Sequence, residues 1–149
     1  MSNEMEVVRR LFAAVEQRDL ERLLACYADD VEIHEAEVLP YGGIWRGHEG
    51  ALAHAAGFLS SWAALQGPAE IRLDARFWGD DAGTVCVLFR HRATDPSRGA
   101  HFDAPEVGIY QVRDGQVVRS QMFHADTCAV VRFLREVGQA HQDAPAAPS

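Results

Sequence analysis

The feature that most constrains this fold is a series of hairpin signals in the second half of the chain. Three long segments, residues 84–93, 101–112 and 116–124, alternate apolar with polar residues, and turns rich in Gly and Asp separate them. Residues 70–78 read as a further strand. Because short turns of this composition join neighbouring antiparallel strands, the sequence predicts an antiparallel meander over residues 70–124.

The first half of the chain predicts three helices and a short strand. Apolar residues recur at steps of three and four over residues 4–17, and Asp19 is placed to cap a second helix. Residues 31–36 alternate as a strand that ends before a Pro- and Gly-containing turn, and a third helix follows over residues 48–65. The buried stripe of this third helix is predicted to consist of Leu52, Ala55, Ala56, Leu59 and Trp62.

These elements predict an α+β fold with one domain over residues 1–137. A chain of 149 residues, 48% of them hydrophobic, is long enough to bury one substantial core. A last short helix is expected over residues 126–137. Residues 138–149 are rich in Pro and Ala and hold few bulky apolar side chains, so we expect a disordered tail.

Charge and hydropathy exclude several classes of partner. The net charge of −8 argues against nucleic acid, whose binding needs clustered Lys and Arg. No segment approaches the roughly 20 apolar residues that span a bilayer, and the charged opening residues do not resemble a signal peptide, so we expect a cytoplasmic protein without membrane contact. Cys26, Cys86 and Cys128 are widely spaced, which predicts reduced thiols. No Gly-rich phosphate loop is present, so no nucleotide cofactor is expected.

Several segments resemble the nuclear-transport-factor-two-like superfamily. They are the helical pair DLERLLACYADDVEIHE, the RGHEG loop before the third helix and FHADT after the last strand. Within that superfamily the chain is similar to the SnoaL-like and ketosteroid-isomerase-like branch. The resemblance implies a cone-like barrel, in which a curved, mostly antiparallel sheet wraps around three N-terminal helices and a short C-terminal helix follows. It also implies a homodimer through the outer sheet face, where Arg119, Gln121 and Phe123 are placed.

The resemblance assigns roles to particular positions. Glu35 falls where the isomerases carry their carboxylate base, and Asp126 falls where SnoaL-like cyclases carry an aspartate near the end of the last strand. Leu11 and Gly108 stand where the isomerases have a catalytic tyrosine and an aspartic acid that holds the oxyanion. Both of those donors are therefore missing, which argues against steroid isomerase chemistry of the known type.

Strand alternation adds candidates around an apolar pocket. The face of the last strand predicted to line it consists of Val118, Ser120, Met122 and His124. Burial and a nearby carboxylate would tune His124 for proton transfer near neutral pH, although a purely structural histidine fits equally well. Glu106 and Tyr110 share a face with Gly108, and they either replace the missing donors or simply pack there.

The remaining candidates have a structural reading of equal or greater weight. His34 belongs to the face opposite Glu35 unless the following turn bends the strand. Tyr41 and Trp45 either cover a flat ligand or pack the core, and Asp126 is a good helix cap. A group of charged residues around the second hairpin is interpreted as an exposed hairpin end and not as a metal site: Arg90, His91, Arg92, His101 and Asp103.

Together these residues predict a cofactor-free enzyme of secondary metabolism that moves protons on a small hydrophobic carbonyl compound. Glu35 would be the base and His124 the acid or orienting group, and cyclisation, isomerisation or dehydration all fit. One alternative is an epoxide hydrolase of the same fold, although its Asp–Arg–Asp set is not recognisable here. The other is a non-catalytic module that binds a small apolar ligand.

Overall fold

The computed structural model describes the backbone of residues 3–143 and the side chains of residues 3–139. The helices of the described residues are α1 (Asn3–Gln17), α2 (Leu20–Cys26), α3 (Gly47–Trp62), α4 (Pro68–Ile71) and α5 (Thr127–Asp143), with a turn of 3-10 helix at Ala63–Leu65. The strands are β1 (Tyr27–Glu35), β2 (Gly43–Arg46), β3 (Arg76–Gly79), β4 (Thr84–Asp95), β5 (Ala100–Arg113) and β6 (Gln116–His124). No helix among these residues is long and apolar enough to cross a lipid bilayer.

The strands form one curved, open sheet in the order β2-β1-β6-β5-β4-β3. The predicted meander from β3 to β6 is confirmed, and Asp114 and Gly115 make its last turn with φ of 52° and 76°, as a tight two-residue hairpin requires. β1 pairs with β6 in parallel, whereas the other pairs are antiparallel. Parallel strands run in the same direction, so Glu35 and His124, the last residues of β1 and β6, meet at one end of the sheet.

The core consists of two apolar clusters on the inner side of the sheet. In the first, Phe12 of α1 contacts three rings edge-on, at centroid distances of 5.4 Å to Phe77, 5.1 Å to Phe89 and 5.6 Å to Tyr110. Each such pair adds about 0.5–1.5 kcal/mol beyond the buried area. In the second, Trp62 is fully buried. These contacts confirm the α+β class and fix α1 and α3 against the sheet.

The inward face of α3 differs from the predicted stripe. Trp62 is buried and Ala55 and Leu59 are partly buried, as predicted, but Leu52 and Ala56 are exposed, and Ala51, outside the predicted stripe, is buried. Because α3 is rich in Ala and carries apolar residues all round, its sequence is compatible with more than one stripe. Contacts with Tyr41 select the observed one: Trp62 Nε1 donates to the Tyr41 hydroxyl at 2.8 Å, and the Tyr41 side chain packs closely over Gly57.

Two element boundaries and one strand register also differ from the prediction. Pro68–Ile71 forms α4 instead of starting a strand, because Pro suits the first helical position and the Glu70 carboxylate accepts the Gly67 N–H at 3.0 Å. Within β6 the pairing register shifts, so Val117 is buried and Val118 is not. Helix α5 continues to Asp143, so residues 138–143 are helical, while residues 144–149 of the predicted tail lie outside the described residues.

Candidate functional site

A cavity of about 150 Å³ lies between the helices and the inner face of the sheet. Its apolar wall includes Leu11, Phe12, Leu23, Phe58, Phe89 and Met122. Polar side chains converge on it from β1, α3, β4 and β5, and these are Glu35, His54, His91, Glu106 and Tyr110. An apolar chamber with a few converging polar groups is the usual form of a small-molecule site.

Glu35 is the centre of a hydrogen-bonded group. Alternation along β1 places it on the same buried face as Val31 and Ile33, and its side chain is only 3% exposed. Its Oε1 accepts from His124 Nε2 at 2.8 Å, and its Oε2 accepts from His54 Nε2 at 3.2 Å. Burial raises the pKa of Glu35, but the hydrogen bonds from His124 and His54 outweigh burial and hold that pKa at about 2. Glu35 is therefore an anion at any physiological pH.

His124 lies between two carboxylates. Its Nε2 is 2.8 Å from Glu35 Oε1 and 3.6 Å from Glu106 Oε1. Burial lowers the pKa of His124, but the hydrogen bond and the charge of Glu35 raise that pKa above its usual value. His124 lies behind Glu35, beside a second and more open cavity that also touches Glu35 and Met122. It reaches the main cavity through the Glu35 carboxylate.

Glu106 differs from Glu35 in its protonation state. It lies on the inward face of β5, is buried, and has its Oε2 3.7 Å from His91 Nδ1. Burial raises the pKa of Glu106 to about 8, with a smaller contribution from the charge of Glu35 and against the charge of His124. Glu106 is thus mostly protonated near neutral pH and offers an O–H donor to the cavity.

His91 was predicted to lie on an exposed hairpin end, and that prediction is wrong. It is 4% exposed and packs edge-on against Trp62 at a centroid distance of 4.2 Å. Neither ring nitrogen has a hydrogen-bond partner among the described residues. Burial lowers the pKa of His91 to about 4, so the ring is neutral. Along β4 every second residue is buried, which sends His91 inward and its neighbours Arg90 and Arg92 outward.

Tyr110 fills the space above Gly108. A Cβ atom built on Gly108 would lie 2.6 Å from the Tyr110 hydroxyl oxygen, so a larger residue at position 108 would displace the ring. Burial raises the pKa of Tyr110, which keeps its hydroxyl protonated. The hydroxyl lies 4.0 Å from Met122 Sδ, a weak acceptor. The Tyr110 ring therefore occupies the space into which a side chain at position 108 would project.

Comparison with known proteins identifies the family. The family model described as the SnoaL-like domain matches residues 8–120. The chain belongs to the SnoaL-like family. An uncharacterised protein of Mycobacterium tuberculosis is 30% identical to this SnoaL-like protein over 130 residues, which cover 87% of this chain and 95% of the relative. The family resemblance inferred from the sequence is therefore confirmed.

Solved structures share the fold of this SnoaL-like domain. A nuclear-transport-factor-two-like protein from Burkholderia pseudomallei, of unknown function, is 26% identical with a TM-score of 0.76, covering 90% of this chain and 98% of its own. TerC, co-crystallised with polyporic acid, is 24% identical with a TM-score of 0.76, covering 90% of this chain and 99% of its own. These likenesses confirm the predicted cone-like α+β fold.

The SnoaL-like cavity brings some predicted residues together and leaves others outside. Glu35, Tyr41, Glu106, Tyr110 and Met122 all line it. His54 also lines the cavity. It was not predicted, because the predicted stripe of α3 contained Ala55 and Ala56 but not residue 54. A spacing signal existed: His54 follows the buried Ala51 by three residues and precedes Phe58 by four.

Three other predicted residues have structural surroundings of their own. His34 faces away from Glu35 and bonds Glu32 at 3.0 Å, and Trp45 donates its indole N–H to the Tyr41 carbonyl at 3.0 Å. Asp126 is exposed and caps α5 by accepting the Ala129 N–H at 3.0 Å. None of these three lines the main cavity.

Three side chains of this cluster could hold a metal ion. His91, Glu106 and His124 each offer one ligand atom, and these atoms lie within 4.8 Å of one another. Two imidazoles and a carboxylate suit zinc or ferrous iron. His124 Nε2 already bonds Glu35, so an ion that used this nitrogen would compete with the Glu35–His124 pair.

Proposed function

We propose that this SnoaL-like protein is a cofactor-independent enzyme that transfers protons on a small apolar carbonyl compound. The observation that carries the proposal is a pair of buried carboxyl groups on one cavity, with the pKa of Glu35 at about 2 and that of Glu106 at about 8. Acid–base enzymes use carboxyl groups whose pKa values are pushed apart in this way. Intramolecular aldol cyclisation, isomerisation and dehydration are the reaction types that fit.

The two carboxyl groups have complementary roles in this proposal. Ionised Glu35 removes a proton from the carbon next to the substrate carbonyl. Protonated Glu106 donates a hydrogen bond to the carbonyl oxygen, where negative charge develops as the enolate forms, and the Tyr110 hydroxyl supplies a second donor. Fixed donors in a water-poor site stabilise such a charge by several kcal/mol. They stand in for the two isomerase donors that Leu11 and Gly108 do not provide.

His124 acts through Glu35 as a positioning residue. A carboxylate with a pKa of about 2 is a weak base by itself. His124 Nε2 donates to Glu35 Oε1 at 2.8 Å and cannot also accept a proton there. It fixes the carboxylate, and Glu35 becomes a stronger base once His124 has lost its positive charge. His54 holds the other carboxylate oxygen. Glu35 therefore remains the proposed base, and Glu106 joins it as the acid.

The apolar walls contribute by confining the substrate. A flexible carbonyl compound held in one folded geometry loses much of the entropic barrier to an intramolecular reaction, an effect of up to about 7–11 kcal/mol in favourable cases. The co-crystallisation of TerC with polyporic acid supports a small organic molecule as the occupant. A non-catalytic binding module would share this cavity and differ in leaving its ligand unchanged.

The outer face of the sheet supports the homodimer that the sequence led us to expect. Ile109 and Phe123 lie there on β5 and β6 and are 38% and 46% exposed, so a second copy would cover apolar surface. Sedimentation equilibrium of the full chain, compared with Phe123→Glu, tests this: a monomer in both samples would exclude the dimer.

Deuterium exchange tests the proposed chemistry directly. The neutral ketone 2-tetralone is incubated with protein in D₂O, and uptake at its α-carbon is followed by mass spectrometry. We expect exchange by the wild type, a loss of roughly a hundredfold in Glu35→Gln and of roughly tenfold or more in Glu106→Gln. Glu37→Gln, an exposed glutamate close to Glu35, is the matched control and should exchange normally.

The pH profile of the same exchange separates His124 from the two carboxyl groups. The wild-type rate should rise as His124 loses its proton and fall above about pH 8, where Glu106 ionises. His124→Gln should lose the rising limb and keep the falling one. Binding of 2-tetralone without exchange in the wild type would overturn the proposed chemistry and favour the binding module.

A further inference from the structure

Arg18 brings a cation into the wall of the apolar cavity. It follows α1, is half-buried, and is the only Lys or Arg among the described residues that line the cavity. The described residues give its guanidinium no carboxylate partner. The adjacent Asp19 is occupied elsewhere, since it accepts the Arg22 N–H at 3.1 Å and pairs with the Arg22 guanidinium at 3.4 Å. A cation is thus presented to an apolar chamber without an anion of its own.

Neutral groups hold the Arg18 side chain in place. Its guanidinium donates to Gln66 Oε1 and lies 5.6 Å from the centre of the Phe58 ring. The Gln66 amide is itself fixed, because its Nε2 donates to the Arg92 carbonyl at 2.8 Å. A guanidinium has five N–H donors in a rigid fork, so donors remain for a ligand. The cation is preorganised, which reduces the entropy lost when a ligand binds.

The backbone of Arg18 fixes the point from which its side chain leaves α1. Its φ is 56°, the left-handed conformation in which many helices end. The Arg18 N–H donates to the Val15 carbonyl at 3.2 Å, and the Asp19 N–H donates to the Ala14 carbonyl at 3.0 Å. These two hydrogen bonds hold the helix end, so the Arg18 side chain starts from a fixed position beside the cavity.

The cavity is lined by one cation and one anion that do not pair with each other. Burial lowers the pKa of Arg18, as expected for a partly desolvated cation, and its charge contributes to lowering the pKa of His91. The Glu35 anion lines the same cavity but bonds His54 and His124. A ligand anion is repelled by Glu35 and attracted by Arg18, so it enters with its charged group at Arg18 and its uncharged carbonyl towards the carboxyl pair.

We propose that Arg18, held by Gln66, is an anion-recognition subsite, and that the substrate is an apolar carbonyl compound that also carries a carboxylate or an ionised enol. The identity of the reacting group rests on the proposed function above. Recognition of the anion is a separate binding property, since Arg18 touches the non-reacting end of the ligand. Charge-assisted hydrogen bonds to such a group are among the stronger ones in proteins.

A matched pair of probes tests the subsite. 2-Naphthoate and 2-naphthamide share one ring system and differ in charge, and neither has an enolisable proton. By calorimetry near pH 7 we expect the wild type to bind naphthoate at least about tenfold more tightly than naphthamide. Arg18→Gln should lose this preference while its naphthamide affinity stays the same. Arg132→Gln, at an exposed arginine on α5 that does not line the cavity, is the control and should keep the preference.

A second variant guards against misfolding of the first. Gln66→Glu places a carboxylate against the intact Arg18 guanidinium, and it too should lose the naphthoate preference. Absence of the preference in the wild type, or its persistence in either variant, would overturn the subsite. Because the naphthalene probes undergo no proton transfer, that result is distinguishable from a failure of the proposed chemistry, which exchange on neutral 2-tetralone measures.

Discussion

Two neighbouring parts of the cavity each hold a buried carboxyl group, but only one of these groups is ionised. Where β1 meets β6, Glu35, His54 and His124 are joined by hydrogen bonds, and the carboxyl group is ionised. On the β4–β5 hairpin, Glu106 and His91 approach no closer than 3.7 Å, and burial keeps both groups neutral. The comparison teaches that hydrogen bonding, and not depth alone, decides which buried acid is charged.

The largest expected effect comes from removing the charge at the β1–β6 end. Glu35→Gln leaves His124 and His54 facing a neutral amide, and loss of one partner of a buried pair typically costs about 3–5 kcal/mol. Urea unfolding near pH 7 should show this loss, while Glu37→Gln should be unaffected. A folded-state pKa lowered to about 2 stabilises the protein above the unfolded value of about 4.5. The difference should therefore shrink as pH falls from about 4.5 towards 2.

A somewhat smaller change in the free energy of unfolding, with the opposite dependence on pH, is expected for Glu106 on the β4–β5 hairpin. The folded pKa of Glu106 is raised to about 8, so between about pH 4.5 and 8 the folded state binds a proton that the unfolded state does not. The free energy of unfolding must therefore fall as pH rises through this window, by at most about 1.4 kcal/mol for each pH unit. Thermal unfolding of the wild type against Glu106→Gln measures it, and parallel curves for the two proteins would contradict the assignment.

The smallest expected change in unfolding free energy comes from replacing His91 or His54, whose positions in the site were not predicted. His91→Leu removes two ring nitrogens that lack partners, and we expect unfolding free energy to stay the same or rise by about 1 kcal/mol. His54→Leu removes a hydrogen bond to the buried Glu35 anion and should lower it by about 2 kcal/mol. Urea titrations of both variants decide the matter. Equal losses would mean that His91 has a partner in solution.

Residues set by strand alternation were the most predictable part of the site. Val31, Ile33 and Glu35 share one buried face, because a strand has a period of two whichever partner it meets. The same holds for Glu106 and Tyr110. The adjacency of Glu35 and His124 required more, since only the parallel pairing of β1 with β6 brings them together. That parallel pairing was not predicted, because strand periodicity does not show which strands pair.

The unpredicted residues mark where local patterns are ambiguous. His54 lies on an Ala-rich helix whose sequence allows several inward faces, and contacts with Tyr41 select one. The shift from Val118 to Val117 comes from an irregular pairing of β6 with β5, which alternation cannot show. His91 was predicted to be exposed because it lies between the charged residues Arg90 and Arg92. The alternation of β4 itself placed it correctly.

The parallel pairing of β1 with β6 also affects how the protein becomes active. The hydrogen bond between Glu35 and His124 joins residues 89 positions apart, and α3, α4 and the strands from β2 to β5 lie between them. Contacts of such long sequence separation form late and slowly, because chain entropy opposes closure of the loop. An incompletely folded chain therefore lacks the Glu35–His124 hydrogen bond, and recovery of the proposed exchange activity after dilution from denaturant would report the last step of folding.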